Sequence, residues 1–193
     1  MGLTNKHQVI AVVNHYAKDA GIKGVVTPSM SDNEDSPAFT QGESNTQYNV
    51  LFSGDRKIVD NYNNIVNILY HEKLHQDDAR SGKKLKYFSD HAEIYINQIN
   101  HSSFKGMSQD VQSGTIQSAM NFILNEAFGT ATDAAGNDYG DNQQAASGLI
   151  EKLNTAIKSA GYQVTVGGIG SLNLYKDKKL ISTVEMKELK NPN

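Results

Sequence analysis

Residues 60–82 read DNYNNIVNILYHEKLHQDDARSG, and their pattern predicts one long helix. Asp60 is a suitable N-cap, because a short acceptor side chain can take up the free amides of a first turn. Gly82 stands where a left-handed residue closes a helix, so the element is expected to run to about Arg80. Ile65, Val66, Ile68 and Leu69 give it an apolar surface, and its second half carries His71-Glu72-Lys73-Leu74-His75. This is an H-E-x-x-H sequence, in which both imidazoles share one helical face, four residues and one turn apart. They can therefore reach a single ion at the ~2.0–2.1 Å of a zinc–nitrogen bond. The helical repeat turns Glu72 about 100° from His71. It borders the same site without ligating, placed to take a proton from a water there. The plainer alternative is a pair of polar residues on an exposed helix, with Glu72 and Gln76 pairing at its surface.

The segments around this helix fall into place by capping and periodicity. Residues 4–20 predict a first helix with Thr4 as cap, Val9, Ile10, Val12, Val13 and Tyr16 as apolar face, and Gly21 as terminator. Residues 22–27 predict a short strand ended by Pro28, 29–46 a polar loop, and 47–53 a strand closed by Gly54-Asp55. A third helix is expected from Ser89 or Asp90 to Asn100, a fourth over 108–128 and a fifth over 143–160, with a glycine- and aspartate-bearing loop at 129–142. Residues 163–166, 171–175 and 180–185 alternate as strands, joined by turns at Gly167-Gly168-Ile169-Gly170 and Lys176-Asp177-Lys178-Lys179. The expected class is α+β, a single domain over 1–193, helix-rich with a small antiparallel sheet formed late in the chain.

Composition narrows the chemistry. The 193 residues are 38% hydrophobic and 20% charged, with a mean hydropathy of −0.52, the profile of a soluble globular protein. No apolar run is long enough to span a bilayer. A net charge of −3 argues against a nucleic-acid binder that works by neutralising phosphates. There is no cysteine, so disulfides, thiolate metal sites and cysteine nucleophiles are excluded, and any metal must be held by His, Asp or Glu. Lysine outnumbers arginine 16 to 2 and Asn plus Gln total 30, which reads as the bias of an AT-rich bacterial genome. The start shows no basic segment ahead of an apolar run, so no secretory signal is expected, and Lys6 breaks the myristoylation pattern.

The segment Asn67 to His75 resembles the active-site helix of the zincin metallopeptidases, and a strand at 47–53 ahead of it is similar to the edge strand that orients substrate in that fold. The resemblance implies a zincin-like domain, Zn2+ as cofactor, His71 and His75 as ligands, Glu72 as general base, and a protein or peptide substrate. A catalytic zinc takes three protein ligands and keeps one position open. Glu93, eighteen positions after His75, resembles the glutamate on a following helix that completes the site in gluzincins. His91 is the second candidate, Asp90 the third, and Glu126 the best distant one. Asp90 and Glu93 also fit a helix-capping box. An oxyanion donor is sought among Tyr87, Tyr95, His101 and Tyr139.

Lys73 stands where zincin motifs carry an uncharged residue, and Gln76 where they carry an apolar one. These departures imply a small divergent member, or a helix with one face in solvent. They also motivate the alternative of a zincin-like binding domain without turnover. Size and Asn/Lys-rich composition make the chain similar to the compact metallopeptidase domains of bacterial polymorphic toxins, RHS-type proteins included. That implies a secreted or delivered effector with a cognate immunity protein. Other signals are weaker. The glycines at 167–170 open no phosphate loop, and Asp133, Asn137, Asp138 and Asp141 lack EF-hand spacing. No G-x-S-x-G elbow exists, and His7 and His15 read as surface residues of the first helix.

Overall fold

The computed structural model describes residues 6–29, 37–50, 58–85, 87–130, 140–187 and 189. The chain divides into two compact units, Met1–Lys84 with His101–Gln112, and Leu85–Asn100 with Ser113–Asn193. Helices and small sheets mix as expected for an α+β chain.

In the first unit, helix α1 (Lys6–Ala17) packs on α2 (Tyr62–Ser81), and a three-stranded sheet of β1 (Thr27–Ser29), β2 (Ala38–Gln41) and β3 (Asn45–Asn49) lies beside them. Val9, Val13, Val26, Tyr48, Ile65 and Leu69 are among the residues that form its apolar core. His7 and His15 lie on the exposed side of α1. Thr4 falls outside the described residues. The strand expected at 22–27 forms instead at Thr27–Ser29, because Val26 already spends its backbone N–H and C=O on the Asn14 carboxamide. The stretch 29–46, expected to be a loop, contains β2 and the start of β3, turned by Gly42 in the left-handed region at φ 69°. β3 ends at Asn49, short of the expected Ser53, and 51–57 lie outside the described residues. Nor is β3 an edge strand. The sheet order is β1-β3-β2, with β1 parallel and β2 antiparallel to it, and β2 is the edge that packs against α2.

In the second unit, α3 (Phe88–Asn100) and the strand β4 (Tyr162–Val166) both pack on α5 (Gln143–Ile157), and most of α4 (Gln109–Phe128) belongs here too. β4, β5 (Ser171–Lys176) and β6 (Lys179–Glu185) form an antiparallel meander. Tyr162, Val164, Leu172 and Leu174 point to one buried face, as period-two alternation requires. The turns fall where glycine and Lys176–Lys179 predict. Asp177 and Lys178 adopt positive φ there, at 49° and 68°. Residues 131–139, Tyr139 among them, lie outside the described residues. Among the described residues no helix is long and apolar enough to cross a membrane.

Candidate metal centre

The motif helix is shaped to be surrounded. Its N-cap is Asn61 rather than Asp60, and the Asn61 side chain accepts from the amides of Asn63 (2.8 Å) and Asn64 (3.4 Å). Gly82 closes it at φ 72°, its N–H bonding Ala79 while Lys83 N–H bonds Asp78. Residues 64–69 are buried in succession, which a helix shows only when packed on all sides. Two of its polar residues there have side-chain partners. Asn64 exchanges hydrogen bonds with Ser108, and the Asn67 amide donates to the Ser103 hydroxyl at 3.0 Å.

One turn further on, the Nε2 atoms of His71 and His75 lie 3.1 Å apart. Two nitrogens at ~2.05 Å from one tetrahedral ion stand about 3.3 Å apart, so the pair is close to the spacing that a shared ion demands. Burial, helped by the positive charge of Lys83, pushes the His75 imidazole down to about 4, leaving it neutral at neutral pH as a metal ligand must be. Glu72 is 4% exposed. Its burial raises the carboxyl to about 8, and a hydrogen bond from the Thr40 side chain works against that shift. The second carboxyl oxygen, Oε2, is buried with no hydrogen-bond partner among the described residues. A buried carboxyl oxygen without a hydrogen-bond partner is costly, and this one belongs to the residue between the two imidazoles of the motif. It is the arrangement expected of residues that wait for a cation and a water, so the side chains present fit a metal.

The second unit holds the remaining ligand candidates. His91 is buried on α3, with its ring stacked 4.2 Å from Phe122 and 5.4 Å from Tyr95. Glu93, half-exposed on the same helix, forms an ion pair with Lys152 of α5. The Asp90 carboxylate accepts from the Tyr87 amide at 3.1 Å, so it shapes the start of α3. Glu126 reaches the same helix end from α4 and accepts from the Ser89 amide at 2.8 Å. Burial raises the Glu126 carboxyl, the Ser89 hydrogen bonds oppose this, and the Asp90 charge adds to it. Tyr87 is half-exposed.

His101 belongs to the first unit. It stacks on Tyr70 at 4.1 Å, shares a 2.8 Å contact with the Ser103 hydroxyl, and is shifted down by burial and by Lys73. The two departures from the zincin pattern have different fates. Lys73 is partly exposed and ion-pairs with Asp77. Gln76 is fully buried, so that face of α2 is not in solvent. Gln76, Thr46 and Thr40 are residues that the sequence reading left without a role. A polar residue four positions after the motif glutamate, in a helix otherwise built for burial, was the available signal for the first of them. The two threonines were hidden in a stretch without apolar alternation.

Comparison with known families finds one model, described as metallopeptidase toxin 2, that matches residues 2–165. No curated protein and no solved structure matches the chain.

Proposed function

Starting from the fact that this chain belongs to the metallopeptidase toxin 2 family, a family of metal-dependent peptidase toxins, we propose that it is a zinc peptidase of zincin-like design. His71 and His75 hold the ion and Glu72 is the general base. The observation that carries this reading is the 3.1 Å approach of the two imidazole nitrogens on α2. On the same helix Glu72 Oε2 is buried with no hydrogen-bond partner among the described residues.

For the third ligand we favour His91 over Glu93. His91 is a buried imidazole on α3, the same ligand type as the pair on α2. The Glu93 carboxylate is engaged by Lys152 instead. A zinc ion in such a set supplies Lewis acidity, polarising a peptide carbonyl and acidifying a water. The chain's own part is proton handling. A cation held beside it would offset the burial and keep the Glu72 carboxyl ionised, so that Glu72 could take a proton from the attacking water and deliver it to the leaving amine. Its buried position keeps that proton from exchanging with solvent. The whole chain acts as one peptidase domain, with a protein or peptide as substrate and a cognate immunity protein as partner.

The test is elemental analysis of protein purified without chelators, beside three variants. About one zinc per chain is expected, lost in His71→Ala and in His91→Ala and retained in Glu93→Gln. Retention in His91→Ala with loss in Glu93→Gln would transfer the third ligand to Glu93. Glu72→Gln should keep the metal and lose cleavage of a labelled casein by about 100-fold or more. Undiminished cleavage by that variant would overturn the role of Glu72.

A further inference from the structure

Four side chains in the first unit, Gln76, Thr46, Thr40 and Glu72, are joined in a line by hydrogen bonds whose direction can be worked out. Gln76 Oε1 accepts from the Lys23 backbone N–H at 2.9 Å, and Gln76 Nε2 donates to the Lys23 carbonyl at 3.0 Å. A backbone N–H can only donate and a carbonyl can only accept, so these two bonds fix which end of the carboxamide is which. Arg80 adds a second bond to Oε1 at 3.1 Å. The amide nitrogen must then donate its other proton to Thr46 Oγ1, 2.9 Å away.

Thr46 therefore accepts at its oxygen and has its own proton to give. Its neighbour is the Thr40 hydroxyl at 2.8 Å. The two threonines are directly opposed in the antiparallel pairing of β2 and β3, so their side chains share the sheet face. The Thr40 side chain is hydrogen-bonded to Glu72; to an ionised carboxylate Thr40 must donate its one proton, so its oxygen takes the proton of Thr46 and the line runs one way. Gln76 and Thr46 are both fully buried, so no water competes for the bond between them, while Thr40 is half-buried.

We propose that Gln76, Thr46 and Thr40 form a one-way hydrogen-bond relay that positions Glu72, pinning one carboxyl oxygen and leaving Oε2 for proton transfer. The proposal rests on the reading of Glu72 as base. A carboxylate turns easily about its last torsion, where preferences are broad. One donor held from behind removes that freedom before substrate arrives, and pre-orientation of this kind lowers barriers without new contacts to substrate. The relay also accounts for Gln76 in place of the apolar residue of zincin motifs. It couples the motif helix to the edge strand beside it, through an anchor on the Lys23 backbone. All three relay residues are positioning residues.

The test uses the full chain with Thr40→Val, which removes the hydroxyl at nearly constant shape, and Thr40→Ser, which restores it. With zinc bound and labelled casein as probe, Thr40→Val should lower kcat about tenfold at unchanged KM and zinc content. Thr40→Ser should recover most of the loss, and Thr40→Val should add nothing to Glu72→Gln. Wild-type kcat in Thr40→Val, with Glu72→Gln inactive, would overturn the relay and leave the base intact. Full activity in Glu72→Gln would instead overturn the base.

A second readout needs no turnover. In zinc-free protein the Thr40 and Thr46 hydroxyl protons should appear by NMR as slowly exchanging resonances, and Glu72→Gln should shift that of Thr40. Hydroxyl protons exchanging at the solvent rate, or a Thr40 resonance indifferent to Glu72→Gln, would overturn the relay whether or not casein is cut.

Discussion

The two three-stranded sheets of this chain are built by opposite rules. β4, β5 and β6 follow one another in sequence, pair antiparallel throughout, and bury the apolar side chains Tyr162, Val164, Leu172 and Leu174. β1, β3 and β2 are out of sequence order, mix parallel with antiparallel pairing, and bury Ser29, Thr46 and Asn49 beside Ala38 and Tyr48. The first kind of sheet is held by area removed from water, which is insensitive to direction. The second depends on polar groups finding particular partners, and each that fails to do so costs more than a neutral hydrogen bond contributes. A site that needs one carboxyl oxygen aimed and another left open is better served by the second kind. The sheet that touches the motif helix is indeed the polar one.

The largest effect on folding is expected where the comparison is most one-sided. Leu174→Ala removes a fully buried side chain from the apolar sheet and should cost about 2–5 kcal/mol in denaturant unfolding. Well below its midpoint it should leave casein cleavage unchanged. Thr46→Val should destabilise less and yet reduce cleavage. If Leu174→Ala proves as damaging to activity as Thr46→Val under folded conditions, the division of labour between the sheets is broken.

A smaller effect tests what the sheets share. Asn154 on α5 donates to the Val164 carbonyl at 2.9 Å and accepts from its N–H at 2.7 Å, covering the outer edge of β4 as a further strand would. Asn14 does the same for Val26 at 2.8 and 2.9 Å, and Gln76 for Lys23. Asn154→Ala and Asn14→Ala should each cost about 1–3 kcal/mol, because two backbone groups lose their partner at once. Near-zero cost for either would mean that water replaces the carboxamide there.

These clamps show where sequence reading succeeded and where it stopped. The helices and the late meander were legible because caps, glycine stops and apolar periods are local signals: Gly82, Gly161 and the alternation of 171–175 each act within a few residues. The motif was legible for the same reason, since His71, Glu72 and His75 need only a helix to come together. β2 was not legible. Ala38-Phe39-Thr40-Gln41 has one small and one large apolar residue, and its place is fixed by pairing with Thr46 and by contact with α2, neither of which a local pattern encodes. The abundance of Asn and Gln was read as a genomic bias. Within that abundance, Asn14, Asn64, Asn125, Asn154 and Gln76 each bond backbone or side-chain groups across the fold. A carboxamide's partner lies too far along the chain for periodicity to find it.

The smallest expected effect concerns the buried polar group that runs against the rule in the second unit. Glu126 is buried on α4, and its carboxyl is held above the ordinary carboxylate range chiefly by that burial, with the Ser89 amide opposing. A raised value means that the folded chain holds this proton more tightly than the unfolded one. The unfolded chain then binds fewer protons, and stability falls as pH rises through the interval between the two values. Below both values the penalty is absent, and above both it is complete. Glu126→Gln keeps an acceptor for the Ser89 amide but never ionises. It should therefore melt slightly above wild type at neutral pH, and the difference should close as the pH drops below the ordinary carboxylate value. A gap that widened on acidification would mean that the ionised carboxylate is the favoured form at the start of α3, so that the Ser89 hydrogen bond outweighs the cost of burial. The second unit would then tolerate buried charge as readily as the sheet beside the motif helix tolerates buried hydroxyls.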